Sequence, residues 1–499
     1  MNTYPAIIQG GMGAGVSNWR LARAVSRLGQ LGVVSGVALD QIFARRLQDG
    51  DPGGHMRRGL DRFPFPEMAE RIWNAYYIPG GKPANVPYKS LKMLTKDGPR
   101  ERQELLIAAN FVEVFLAREG HNHPVGINYM EKVQIPHLPS LYGALLAGVG
   151  YVLMGAGIPL KIPGAIDALT RHDPATYPLS VTGAQEGDDT TLRFAPSDFM
   201  ECDLPTLARP RFLAIISSNT LAATMLKKAN GVVDGFIIEG PTAGGHNAPP
   251  RGKLELNQAG EPVYGSRDRV DLEKLRQLGL PFWLAGGYGR PEKLREAQAA
   301  GAAGVQVGTV FALCAESGLS ESYKRQILEG IAACQARVFT DPVASPTHFP
   351  FKIVQVEGSL SEAAVYASRP RACDQGYLHE AYRTPEGTVG YRCAAEPEAT
   401  YAAKGGKPEN APGRKCLCNA LLANIGQPQL RTGGYLEQGL VTAGDDLEAA
   451  ARFLRAGSLV YTAADVVSRV LAGAAERSPA YRAGSLSQPV AFDGALLPA

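Results

Sequence analysis

In the stretch EGPTAGGHNAPPRG, from Glu239 to Gly252, a lone histidine, His246, follows Gly244 and Gly245 in a loop leaving the apolar run VVDGFIIEG. An imidazole can exchange protons near neutral pH, and bare glycines beside it let main chain approach a ligand closely. Two later loops, AGGYGRPEKL and VQVGTVF, offer unobstructed backbone N–H groups at Gly286, Gly287, Gly308 and Thr309, one of them at a helix start. Such N–H groups and the helix dipole suit a phosphate, and the Thr309 hydroxyl would add a donor. Asn128 closes the run VGIN, where its amide could serve a planar heterocycle or simply a turn. In IIQGGMG the main chain at Gly11 and Met12 could lie flat against a ring. Each feature also has a plainer reading, as tight-turn glycines and a surface histidine.

The elements that must position these residues decide between the readings. Short apolar runs alternate with helical ones: PAIIQG, LGVVSG, HPVGINYM, YVLMGAG, RFLAIISS, VVDGFIIEG, PFWLAGG and AAGVQVGT. Leu21, Ala22, Val25 and Leu28 share one helical face after the first run, and Pro291 and Gly301 punctuate the helix after the seventh. Eight strands of this kind, each followed by a helix or a helical insertion, predict a closed (β/α)8 TIM barrel, with the candidate residues in loops at one end. A dinucleotide-binding sheet is the rival. The glycines at 10, 11, 13 and 15 do not fit G-x-G-x-x-G, and no acidic residue ends the second strand.

The barrel is expected over residues 1–340, with insertions at about 51–100 and 171–210. The first has little periodicity, and the second suggests a hairpin. Residues 341–499 read as a cysteine-containing C-terminal extension packed on the barrel, bordering its mouth and too poor in periodic structure to fold alone. With 51 Lys+Arg against 48 Asp+Glu, a net charge of +3 gives no electrostatic case for nucleic acid or a membrane surface. No apolar run reaches the ~18 residues of a membrane span, and MNTYPAIIQGGMG lacks the form of a signal peptide. A cytoplasmic protein acting on a small molecule is expected, with a homodimer left open.

In combination, IIQGGMG, VGINYM, MGAGIP, IIEGPTAGGHNAP, LAGGYG and GVQVGTVF resemble the nitronate monooxygenases, FMN-dependent TIM barrels related to flavin-dependent enoyl-ACP reductases. The resemblance covers most of residues 5 to 315. It implies a catalytic or substrate-facing role for His246. It implies flavin contacts at Gly11, Met12, Asn128, Gly244, Gly245, Gly286, Gly287, Gln306, Gly308 and Thr309. The implied reaction oxidises an alkyl nitronate or nitroalkane with O2 to a carbonyl compound and nitrite. The alternative is an NAD(P)H-dependent enoyl-thioester reductase, and a third reading is a flavin-binding protein without turnover. Glu239 and Thr242 depart from the family, which often has Gln and an acidic residue there; a glutamate at 239 is closer to the enoyl reductases.

Cys373, Cys393, Cys416 and Cys418 are spaced C-x19-C-x22-C-x-C. Four thiolates could hold zinc or an iron–sulfur cluster, but the usual C-x-x-C pair is missing, so packed, reduced thiols are the leading expectation and no metal ligand is assigned.

Overall fold

Eight short strands meet in chain order and close on themselves. In a computed structural model that describes residues 4–455 and 457–475, they are β1 (Ile7–Gln9), β2 (Leu31–Ser35), β3 (Val125–Met130), β4 (Tyr151–Gly155), β5 (Arg211–Ile216), β6 (Gly235–Glu239), β7 (Phe282–Ala285) and β8 (Gly304–Val307). Every neighbouring pair is parallel, from β1 against β2 round to β8 against β1. This is the expected (β/α)8 barrel, built from the eight predicted runs.

The strands read as apolar throughout because both faces are covered. Ile8, Leu31, Val33, Leu153, Leu213, Ile237 and Trp283 fill the interior as one cluster. Their neighbours Ile7, Val34, Val152, Phe212, Ile238 and Leu284 point outward into the main core, against the helices. Side chains alternate along a strand, so the inward set ends in Asn128, Glu239 and Gln306 at the C-terminal rims of β3, β6 and β8. These polar side chains, with Ser35 at the end of β2, therefore face the mouth from a level just above an apolar plug.

The helices start where the sequence marks them. The Asn18 side chain accepts the Leu21 N–H at 3.0 Å to cap Trp19–Arg27. Pro291 opens the helix Pro291–Ala299, and Gly301, at φ 90°, takes the left-handed turn after it.

The insertion at 51–100 is more regular than its weak periodicity suggests, with helices at His55–Leu60 and Pro66–Tyr76. Both are short, and tertiary contacts hold them. The Asp51 carboxylate accepts the Met56 and Arg57 N–H groups at 2.8 and 2.9 Å, while Phe63, Phe65 and Met68 are buried. In the second insertion Ala175–Pro178 pairs antiparallel with Thr191–Phe194. Val181–Thr182 reaches across to pair with Glu380–Arg383.

Beyond the barrel the chain forms the hairpin Val338–Asp341 with Phe351–Val354 and the hairpin Glu380–Arg383 with Val389–Arg392. Ala344, Ile353, Leu360, Leu417, Ala420 and Leu440 are buried together with Phe351 in a separate small core. The segment thus has a small apolar core of its own. Its apolar residues come from hairpins and turns, which leave no helical or strand period to read. The helix Ala463–Ala475 returns to pack on Pro291–Ala299. Among the described residues no helix is long and apolar enough to cross a membrane.

Candidate active site

All eleven residues singled out from the sequence line one cavity of about 470 Å3 at the C-terminal end of the barrel: Gly11, Met12, Asn128, Gly244, Gly245, His246, Gly286, Gly287, Gln306, Gly308 and Thr309. Parallel βα units put every post-strand loop at that end, so residues far apart in sequence converge there.

The floor is the polar rim of the barrel. A Cβ on Gly11 would stand 2.4 Å from Asn128 Cβ, so only glycine lets these two loops approach. Asn128 Nδ2 donates to the Tyr129 carbonyl at 3.0 Å, and the Met12 N–H donates to Ser17 Oγ at 3.0 Å. Gln306 Oε1 is buried without a hydrogen-bond partner among the described residues. A buried amide oxygen normally finds a donor, so this one suits a ligand N–H.

One wall is the cradle. The backbone N–H groups of Gly286, Gly287, Gly308 and Thr309 donate to no group among the described residues. Gly286 and Gly287 sit at φ 96° and 76°, which turns successive N–H groups inward. The Thr309 hydroxyl accepts the Gly444 N–H at 2.9 Å and keeps its own hydrogen for a ligand. These features fit the phosphate and ring of a flavin mononucleotide. The N–H set would take the phosphate, and the bare main chain at Gly10–Gly11 with Asn128 and Gln306 would take the ring.

His246 forms part of the opposite wall. Its Nε2 shares a hydrogen bond with Ser345 Oγ at 2.6 Å, and Ser345 Oγ is 2.8 Å from Thr347 Oγ1. Phe351 packs edge-on against the imidazole at 4.8 Å. Phe349 lies next to it and carries Lys132 Nζ at 4.5 Å from its ring centroid. Among the described residues no group hydrogen-bonds to Nδ1, and His246 lines the cavity. Burial, with the Lys132 charge second, pushes the imidazole down to about 4. His246 is therefore neutral at physiological pH.

Glu239 has no hydrogen-bond or ion-pair partner among the described residues and lines the same cavity. Burial pushes its carboxyl up to about 7. An acid raised in this way keeps its proton on folding, so stability falls as pH rises from the unfolded value of ~4.5 to about 7, then levels off. A displacement of that size corresponds to at most about 3 kcal/mol, and water in the cavity trims it. Glu239→Gln is therefore expected to raise the stability of the apoprotein at pH 8 and leave it nearly unchanged at pH 5. Denaturant unfolding at both pH values checks this; an equal gain at each would show that charge burial is not the cause.

The sequence reading set the C-terminal segment at the border of the mouth but named none of the residues that it supplies. Thr442 Oγ1 accepts the Gly245 N–H at 2.8 Å, and Asp445 N–H donates to the Thr242 carbonyl at 3.0 Å. A Cβ on Gly244 would meet the Ala443 carbonyl carbon and the Gly444 nitrogen at 2.8 Å. Lys352 Nζ holds Asp445 at 2.6 Å, and Asp446 pairs with Arg290 at the start of the helix Pro291–Ala299. The run LVTAGDD, apolar and then small, resembles a strand end and was the available signal. Ser345, Phe349 and Phe351 carried none.

Residues 206–348 match the nitronate monooxygenase family model. The matched segment runs from just before β5 to the loop of Ser345, so it contains Glu239, His246, both cradle loops and the partner of His246. Gly11, Met12 and Asn128 lie outside it. A nitronate monooxygenase of Pseudomonas aeruginosa is 34% identical over 121 residues, 24% of this chain and 32% of that protein. A (3aS,4S,5R,7aS)-5-hydroxy-7a-methyl-1-oxo-octahydro-1H-indene-4-carboxyl-CoA dehydrogenase of Mycobacterium tuberculosis is 30% identical over 143 residues, 29% of this chain and 36% of that protein. The chain thus spans about a third of the length of the curated relatives it matches. Among solved structures, a nitroalkane oxidase from Streptomyces ansochromogenes aligns over 95% of this chain and 97% of its own, with a TM-score of 0.48 and 16% identity.

Proposed function

We propose that this protein is an FMN-dependent oxidoreductase of the nitronate monooxygenase type, oxidising alkyl nitronates with O2 to a carbonyl compound and nitrite. The observation that carries the reading is His246, neutral and with Nδ1 free, facing a cavity whose other wall is an N–H cradle. FMN would be held by the cradle and the floor, and when bound it supplies the electron transfer that such an oxidation needs.

The protein's own contribution follows from His246. An imidazole that resists protonation is a weak base but a sound hydrogen-bond donor, so it suits a substrate that arrives as an anion. Lys132, charged and behind Phe349, adds a favourable field for such an anion. With Nδ1–H pointing to the nitro oxygens, Nε2 accepts from Ser345 Oγ; if Nδ1 instead removes an α-proton, Nε2–H donates to it. Phe349 and Phe351 give the imidazole an apolar flank on this side.

Two features favour the alternative, an NAD(P)H-dependent enoyl-thioester reductase. The cavity is walled by Ile216, Leu221, Leu378 and Leu421, room for a hydrocarbon chain. Glu239 can also hold a proton at neutral pH.

The purified protein is expected to be yellow and to release FMN, not FAD, on denaturation. Anaerobic mixing with an alkyl nitronate should bleach the visible band, and NADH and NADPH should leave it unchanged. Bleaching by NADH together with turnover of an enoyl thioester would replace the first reading with the second. A colourless protein that ignores added FMN would remove both.

A further inference from the structure

A second cavity, of about 300 Å3, adjoins the first and shares Tyr377 and Leu378 with it. That volume is room for several waters, and Lys132 and His348, which help to line it, are exposed. Thr347 lines this second cavity and not the first, whereas His246 lines only the first. Ser345 lines neither and is fully buried between them. Two hydroxyls therefore cross the wall. His246 Nε2 lies 2.6 Å from Ser345 Oγ, and Ser345 Oγ lies 2.8 Å from Thr347 Oγ1.

Counting donors fixes what this row can do. The Thr347 N–H donates to Ser345 Oγ at 3.2 Å and takes one lone pair of that hydroxyl. One lone pair and one hydrogen remain for His246 Nε2 and Thr347 Oγ1. With a neutral imidazole, only two arrangements satisfy both contacts. In one, Ser345 donates to Nε2 and accepts from Thr347, so the imidazole carries its proton on Nδ1. In the other, Nε2–H donates to Ser345 and Ser345 donates to Thr347, so Nδ1 is bare. The tautomer of His246 and the direction of both hydroxyls thus change together. The row is also held in place. Arg414 Nη1 donates to the Val343 and Ser345 carbonyls at 2.7 and 2.6 Å. The Asn247 N–H donates to the Pro350 carbonyl at 3.0 Å, which ties the loop of His246 to the loop of Ser345. Burial keeps the imidazole from holding two protons at neutral pH. Such a base works only if the Nε2 proton leaves as a proton arrives at Nδ1.

We propose that Ser345 and Thr347 form a proton relay from His246 to the second cavity, a proposal that rests on the reading of His246 as the base for a neutral nitroalkane. The α C–H bond breaks, its electron pair stays on the substrate as the nitronate, and its proton joins Nδ1. The Nε2 proton passes to Ser345 Oγ, the Ser345 proton to Thr347 Oγ1, and the Thr347 proton to a water in the second cavity. One proton enters the wall and one leaves it, so the imidazole stays neutral and the row ends in its other arrangement. Ser345 and Thr347 touch no substrate; they are positioning residues that act through His246.

Two measurements on the full chain test this. Long-range 15N–1H spectra, with His246→Ala to assign the signal, read the imidazole tautomer without any turnover. The wild type should show both ring nitrogens at intermediate shifts, from two exchanging tautomers. In Thr347→Val the Ser345 hydrogen has only Nε2 left to meet, so the Nδ1–H tautomer alone is expected; Thr347→Ser should restore the exchange. One and the same tautomer in the wild type and in Thr347→Val would overturn the relay. In the second measurement, Ser345→Ala and Thr347→Val should lower turnover of a neutral nitroalkane by ~10-fold or more, part of what a positioned acid–base group supplies. The loss should be smaller with a preformed nitronate, since no α-proton then crosses the wall, and Thr347→Ser should recover most of it. Full nitroalkane turnover in Thr347→Val, with His246→Ala impaired, would remove the relay and leave the base standing. Full turnover in His246→Ala would remove the base and the relay together.

Discussion

Replacing His246 with alanine leaves flavin binding intact and lowers turnover of a neutral nitroalkane by ~10²–10⁴-fold, the range for a positioned acid–base group. The side chain contributes to the wall opposite the cradle, so its loss leaves Gly286, Gly287, Gly308 and Thr309 in place. With a preformed nitronate the loss should be smaller, because no α-proton has to be removed. The pH profile adds a second check. With His246 pushed down to about 4, the wild type should show no inflection near 6.5 in kcat/KM for a nitronate. Rates near wild type in the alanine variant, at full flavin content, would return His246 to a packing role against Phe351 and Ser345.

The second large effect lies in the cradle. Gly287→Asp is expected to weaken FMN binding by ~10²-fold or more. Gly287 has φ 76°, where a side chain is strained by ~1–2 kcal/mol, and a Cβ there would stand 3.8 Å from Asp446 Cβ. The new carboxylate therefore joins Asp446 beside the N–H groups proposed to hold the phosphate. Losing one hydrogen bond to a charged group, with repulsion added, is worth about 3 kcal/mol, hence the factor in Kd. Gly287→Ala carries the same backbone strain without the charge and should lose much less. Flavin titrations of the two apoproteins, matched for thermal unfolding, separate the terms. Equal losses would mean that backbone strain, not charge, governs binding there.

The barrel was legible in the sequence because buried parallel strands must be short, apolar and followed by small residues. All eight runs, from IIQ to GVQV, carry that mark. Their common end then followed from topology, which is why Gly11, Asn128 and His246 could be grouped across more than two hundred residues. What stayed hidden depends on contacts without a period. Ser345 sits in ASPTHF, an irregular turn, and reaches His246 only through the hairpin that seats Phe351 beside the imidazole. Glu239 was visible as a residue, but its raised carboxyl depends on facing inward above Ile237 with no ion-pair partner among the described residues, a matter of strand parity and tertiary neighbours. The packing of four cysteines from three stretches likewise required hairpins that the pattern of side chains did not announce.

The strap from Thr442 to Asp446 bears on how the protein is made. The loops after β6 and β8 are synthesised by about residue 310, yet Thr309 and Gly245 find their partners only when Gly444 and Thr442 arrive, 135 and 197 residues later in the chain. Domains fold from the N-terminus as they are synthesised. A chain cut short between Val307 and Thr442 thus has all eight barrel strands but lacks the strap that completes the mouth.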